Sequence, residues 1–100
     1  MLQTFCAWAK DTIAALPPEI HAQLTLGVTS PNPAAILDFD TPVAMGRITY
    51  WDSGDYVAEI LDQQSGRDLF DQKGACRSAE ALTARLRPFL RKLGVLPHPG

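Results

Sequence analysis

Two cysteines and two histidines are all this 100-residue sequence offers to a soft metal, and no two of them are closely spaced. The paired ligands of a structural zinc site are therefore missing, and neither a metal nor a cofactor is expected. Also absent are GxxxxGK followed by Ser or Thr, GxGxxG, GxSxG and HExxH, so the sequence carries none of the common phosphate-binding, dinucleotide, hydrolase or metalloprotease signatures. No apolar run approaches the roughly 18 residues that a membrane span requires. A net charge of -2 gives no general attraction to nucleic acid or to an anionic membrane.

What is present suits one ordinary domain over 1–100, with 46% hydrophobic and 20% charged residues, and no internal repeat. The stretch from Met1 to Leu16 carries Lys10 and Asp11 among spaced apolar residues, unlike a signal peptide, so a cytoplasmic location is expected. Cys6 and Cys76 are then expected to be reduced and to act as small hydrophobes. Charge is segregated along the chain. Between Ala34 and Gln72 stand Asp38, Asp40, Asp52, Asp55, Glu59, Asp62, Asp68 and Asp71 against Arg47 and Arg67. From Lys73 onward the balance reverses, with Arg77, Arg85, Arg87, Arg91 and Lys92 joining Lys73 against Glu80.

The hydrophobic period divides the chain into elements. Leu2, Phe5, Cys6, Ala9, Ile13 and Leu16 recur at helical spacing until Pro17-Pro18 stops them. Ile20, Ala22, Leu24, Leu26 and Val28 then alternate as in a strand, and Ser30-Pro31-Asn32-Pro33 reads as a turn. The second strand sets Ala35, Leu37 and Phe39 on one side and Asp38 and Asp40 on the other, before Thr41-Pro42 breaks it.

The clearest unit is the hairpin from Val43 to Gln63. Asp52-Ser53-Gly54 suits a three-residue loop with a left-handed glycine, which sets Tyr50 opposite Tyr56, Ile48 opposite Ala58 and Gly46 opposite Ile60. The other face then pairs Thr49 with Val57, Arg47 with Glu59 and Met45 with Leu61. Gln64-Ser65-Gly66 leads to a short strand, Arg67 to Lys73, with Phe70 beside Ile60. Ser78 caps a last helix that buries Ala79, Leu82, Leu86, Phe89, Leu90 and Leu93; Pro88 is expected to kink or split it, and 95–100 to be a frayed tail. The expected fold is α+β: an N-terminal helix, a five-stranded antiparallel meander sheet and a C-terminal helix, with both helices on one sheet face.

Chemistry is sparse. Asp38 and Asp40 share a strand face, but without an apolar pocket they read as solvated carboxylates in place of an acid/base pair. Turn chemistry accounts for Asp52-Ser53-Gly54-Asp55, and the basic stripe of the last helix reads as a solvated face. The sheet face away from the helices is different. It still presents Met45, Trp51, Val57, Leu61 and Leu69 among Arg47, Glu59, Asp55 and Asp71, the pattern of a protein-binding patch with an acidic rim or of scattered exposed hydrophobes.

The segment Gly46-Arg47-Ile48-Thr49-Tyr50-Trp51-Asp52-Ser53-Gly54-Asp55, with Ala58-Glu59-Ile60-Leu61-Asp62 and Ser65-Gly66-Arg67 after it, resembles the TriTu family of bacterial immunity proteins. The closing helix from Ser78 to Leu93, with Glu80, Leu82, Pro88, Phe89 and Leu90, is similar as well, so the likeness covers about Asp38 to Leu93. It implies a non-catalytic antidote to a toxin that uses NAD to ADP-ribosylate elongation factor Tu. The resemblance supplies no contact residues; the hairpin and its mixed face give Arg47, Tyr50, Trp51, Asp52, Asp55, Val57 and Glu59 as the expected partner-binding residues, blocking the toxin's active site as a monomer or weak dimer. The other reading is a small secretion chaperone or adaptor acting as a homodimer. A small-molecule-binding or enzymatic domain built on a pocket at Asp38 and Asp40 is the third.

Overall fold

The computed structural model describes residues 2–27 and 31–95. Val28, Ser30 and the tail from 96 onward lie outside them. The element order is α1 (Leu2–Ala14), β1 (His21–Gly27), β2 (Ala34–Asp40), β3 (Ala44–Trp51), β4 (Asp55–Asp62), β5 (Asp68–Ala75) and α2 (Ala79–Leu93). The five strands form one antiparallel sheet in sequential order β1-β2-β3-β4-β5, so the expected meander is what forms.

Period two decides which side chains are buried. Ala35, Leu37 and Phe39 of β2, Ile48 and Tyr50 of β3, and Tyr56, Ala58 and Ile60 of β4 all point toward the helices and are almost fully buried. Phe5 of α1 stacks on Tyr50 at 4.7 Å between ring centroids, and Phe89 of α2 meets Phe39 edge-on at 5.7 Å. Both helices therefore cover one face of the sheet. Each large side chain withdrawn from water there is worth about 1.5–3 kcal/mol.

The hairpin has the expected register, with Tyr50 opposite Tyr56, Arg47 opposite Glu59 and Met45 opposite Leu61. Gly54 supplies the left-handed residue at φ 98°, and its N–H donates to the Trp51 carbonyl at 2.8 Å. At its other end β3 leaves a turn built by Thr41, whose buried hydroxyl accepts from the Ala44 N–H at 2.9 Å.

Ser78 caps α2, its hydroxyl accepting from the Ala81 N–H at 3.1 Å. At the far end Gly94, at φ 95°, donates to the Arg91 carbonyl while the Val95 N–H donates to that of Leu90. That pair of bonds with a half-buried apolar Val95 is a Schellman ending. Val95, expected to begin a frayed tail, is thus part of the helix terminus.

Several expectations are corrected. Of the two outcomes expected at Pro88, the split does not occur: α2 is one helix, with Pro88 on its solvent side while Leu86, Phe89 and Leu90 hold both halves to the sheet. Ala79 is exposed at the first helical position, and Ala81 packs against the core instead. Trp8 belongs to the core although the expected stripe omitted it; its Nε1–H donates to the Thr83 hydroxyl at 3.3 Å and ties α1 to α2. Leu26, expected inside, is 56% exposed at the end of the edge strand. β5 starts at Asp68 and runs to Ala75, since a bulge opposite Ile60 and Leu61 inserts Leu69 as an extra residue.

Candidate protein-binding face

The sheet face away from the helices has no element packed over it among the described residues. Alternation places on it Ile36 and Asp38 from β2, Met45, Arg47, Thr49 and Trp51 from β3, and Asp55, Val57, Glu59 and Leu61 from β4. Met45 is 47% exposed, and Ile36, Trp51, Val57 and Leu61 are half-buried. Those five apolar side chains stand among carboxylates, so this is neither an ordinary polar outer face nor a second core.

The Arg47 guanidinium donates through Nε to the Asp38 carboxylate at 2.7 Å. That hydrogen bond, then the Asp38 charge itself, holds the guanidinium above its ordinary pKa. Both side chains are about half exposed, so the pair is worth at most ~1 kcal/mol to stability. Its main effect is to fix where Arg47 points. Asp40 accepts from the Gln63 amide, which also donates to the Thr41 carbonyl at 2.7 Å and so pins the β2–β3 turn to the end of β4. With Asp38 paired to a cation and Asp40 exposed, the two do not form an enclosed acid/base site. Both carboxylates do line an open concavity, together with Met45, Arg47, Glu59, Leu61 and Gln63.

The hairpin tip is braced from two sides. Asn32 and Ser53 exchange hydrogen bonds, the Ser53 N–H donating to Asn32 at 3.2 Å, and the Asp52 N–H donates to the Pro33 carbonyl at 2.9 Å. The Cys76 N–H donates to the Gly54 carbonyl at 2.9 Å. The Ser53 hydroxyl donates to the Asp55 carboxylate at 3.0 Å. Asp52 has a further role invisible in the sequence: its carboxylate accepts from the Leu2 N–H at 3.3 Å. α1 has no acidic residue in its own first turn, and Asp52 supplies one from 50 positions away.

Of the expected partner-binding residues, Arg47, Trp51, Val57 and Glu59 share the open face and Asp52 and Asp55 flank it at the tip. Tyr50 does not belong with them. It has no exposed surface, and its hydroxyl donates to the Cys76 carbonyl at 2.5 Å. A residue one position from Trp51 must point the other way, so Tyr50 serves the core and not a contact. Ile36 was missed, although the alternation that buries Ala35 and Leu37 already placed it on the open face.

Cys6 and Cys76 are both free, and burial pushes the Cys76 thiol up. Among the described residues, no three or more His, Cys, Asp or Glu side chains are grouped as metal ligands. No helix among the described residues is long and apolar enough to cross a membrane. A comparison with curated proteins finds no match. The family model described as immunity protein TriTu matches residues 3–92, from the first turn of α1 almost to the end of α2. The chain therefore belongs to the TriTu family of immunity proteins, and its function is immunity exerted on a toxin partner.

Proposed function

We propose that this chain neutralises an NAD-dependent ADP-ribosyltransferase toxin in the cytoplasm by covering its active-site cleft, and that it catalyses nothing itself. The observation that carries this reading is the braced tip of the β3–β4 hairpin, where half-buried Trp51 stands beside exposed Asp52 and Asp55, with exposed Glu59 farther along β4. A cleft that holds the pyrophosphate of NAD needs cationic groups, and fixed carboxylates beside an aromatic anchor complement it in charge and shape. Because the tip is already held by Asn32, Pro33 and Cys76, little loop entropy is lost when it docks. Arg47 and Val57 continue the contact along the strands.

Co-elution tests this. The purified chain is mixed with the toxin domain encoded beside its gene, with and without excess NAD. A one-to-one complex that NAD weakens is the expected result. A stable homodimer that ignores the toxin would overturn the reading and favour a secretion chaperone.

A further inference from the structure

The hairpin tip alone is too small for a lasting grip. A specific protein contact takes about 800 Å² from each partner, and a tip of four residues supplies a fraction of that. The open face behind it continues the same chemistry. From Trp51 to Met45 along β3 is about 20 Å, and β2 to β5 spans about 15 Å between strand axes. That footprint, about 300 Å² between strand axes before side chains are added, supplies much of the contact area that the tip lacks.

Across the middle of this face runs one register row: Gln23, Asp38, Arg47, Glu59, Asp71. Arg47 is committed to Asp38. Glu59 and Asp71 stand directly opposite each other on neighbouring strands, both exposed. Neither forms an ion pair among the described residues, although Glu59 lies within the field of Arg47. Facing like charges destabilise a sheet, so the fold carries this pair at a cost. Apolar groups flank the row on both sides, Met45 opposite Leu61 toward one end and Ile36 and Val57 toward the other. Thr49 stands between those last two and exposed Lys73 ends their line on β5, leaving the face still net negative.

We propose that the toxin is held across the whole open face, with one of its basic side chains seated over Glu59 and Asp71 and its apolar groups against Met45 and Leu61. This rests on the toxin-neutralising reading above and extends it from the tip to the far end of the sheet. The occupant is a basic protein surface, because the row keeps uncompensated negative charge that a cation would relieve and that a nucleic acid would not.

Toxin affinity and melting temperature are measured together for the wild type and for Asp71→Asn, Asp71→Lys and Met45→Ser. Lysine opposite Glu59 removes the facing repulsion, so Asp71→Lys should melt no lower than wild type yet bind the toxin at least tenfold more weakly. The loss should shrink as salt is raised. Asp71→Asn, nearly isosteric, should show a smaller loss in the same direction, and Met45→Ser a severalfold one. Wild-type affinity in both Asp71 variants overturns the seating of a cation on this row, even if Trp51→Ala still weakens binding and leaves the tip as the contact. Failure of the wild type to bind any toxin domain would overturn the underlying reading as well.

Discussion

Tyr50 and Trp51 are consecutive in β3 and do opposite work: Tyr50 is sealed under α1 with no exposed surface, while Trp51 stands half-buried on the open face of the sheet. One residue of displacement along a strand reverses the side, so one of two adjacent aromatics is committed to the core and the other is left open to a partner.

Replacing Trp51 tests the recognition half. Trp51→Ala should cost more than ~2 kcal/mol of toxin affinity, the loss typical of an aromatic anchor at the centre of a contact. Its thermal unfolding should change little by comparison. Titration calorimetry with the toxin domain checks this, and unaltered binding would remove Trp51 from the interface.

Tyr50 tests the other half. Tyr50→Phe leaves the Cys76 carbonyl without its donor and should cost about 1 kcal/mol of stability. Tyr50→Ala removes the ring stacked on Phe5 and should cost about 3–5 kcal/mol. Urea unfolding gives both values. Toxin affinity per folded molecule should stay at the wild-type level for Tyr50→Phe.

Gly46 faces α2, and a Cβ there would lie 3.1 Å from both Phe89 and Leu93. Neither side chain is free to retreat, since both are buried. Gly46→Ala should therefore destabilise the fold by about 1–3 kcal/mol through overpacking. A midpoint shift in urea at unchanged slope is the expected signature.

Alkali should unfold this protein through its two core tyrosines. Burial, chiefly, holds the Tyr50 and Tyr56 phenols above their ordinary pKa of 10.0, and the neighbouring Cys76 adds to it. The folded state then keeps protons that the unfolded chain has released. Stability tied to the neutral phenols is whole below about pH 10 and is lost as pH climbs from there through the folded values. The urea midpoint should be steady from about pH 8 to about pH 10 and lower at about pH 11, with a smaller drop in Tyr50→Phe.

The hairpin was the most legible part of the sequence because two independent signals agree on it. The Asp52-Ser53-Gly54 turn sets the register, and alternation from Gly46 to Ile60 sets the sides, so every facing pair followed. Elsewhere a single signal had to serve. Trp8 escaped the helical stripe because its partner, Thr83, is 75 positions away. Leu26 obeys the alternation but sits at the end of an edge strand, where position in the sheet and not pattern decides exposure. The bulge at Leu69 adds a residue that period-two reasoning cannot see. At the candidate site, the register already turned Tyr50 toward the helices opposite Tyr56, and its burial there is at odds with the partner-binding role also expected of it. The capping of α1 by Asp52 was illegible, because it depends on tertiary distance alone.

Where the toxin is covered decides how it is neutralised. For the proposed ADP-ribosyltransferase toxin, the direct measurement is the initial rate of ADP-ribosyl transfer to a target protein, at rising NAD and several fixed concentrations of this chain. Inhibition that excess NAD relieves, with the maximal rate unchanged, is the predicted result and places the braced hairpin in the NAD cleft. Inhibition that NAD cannot relieve, or a toxin that stays active with this chain in excess, would contradict it.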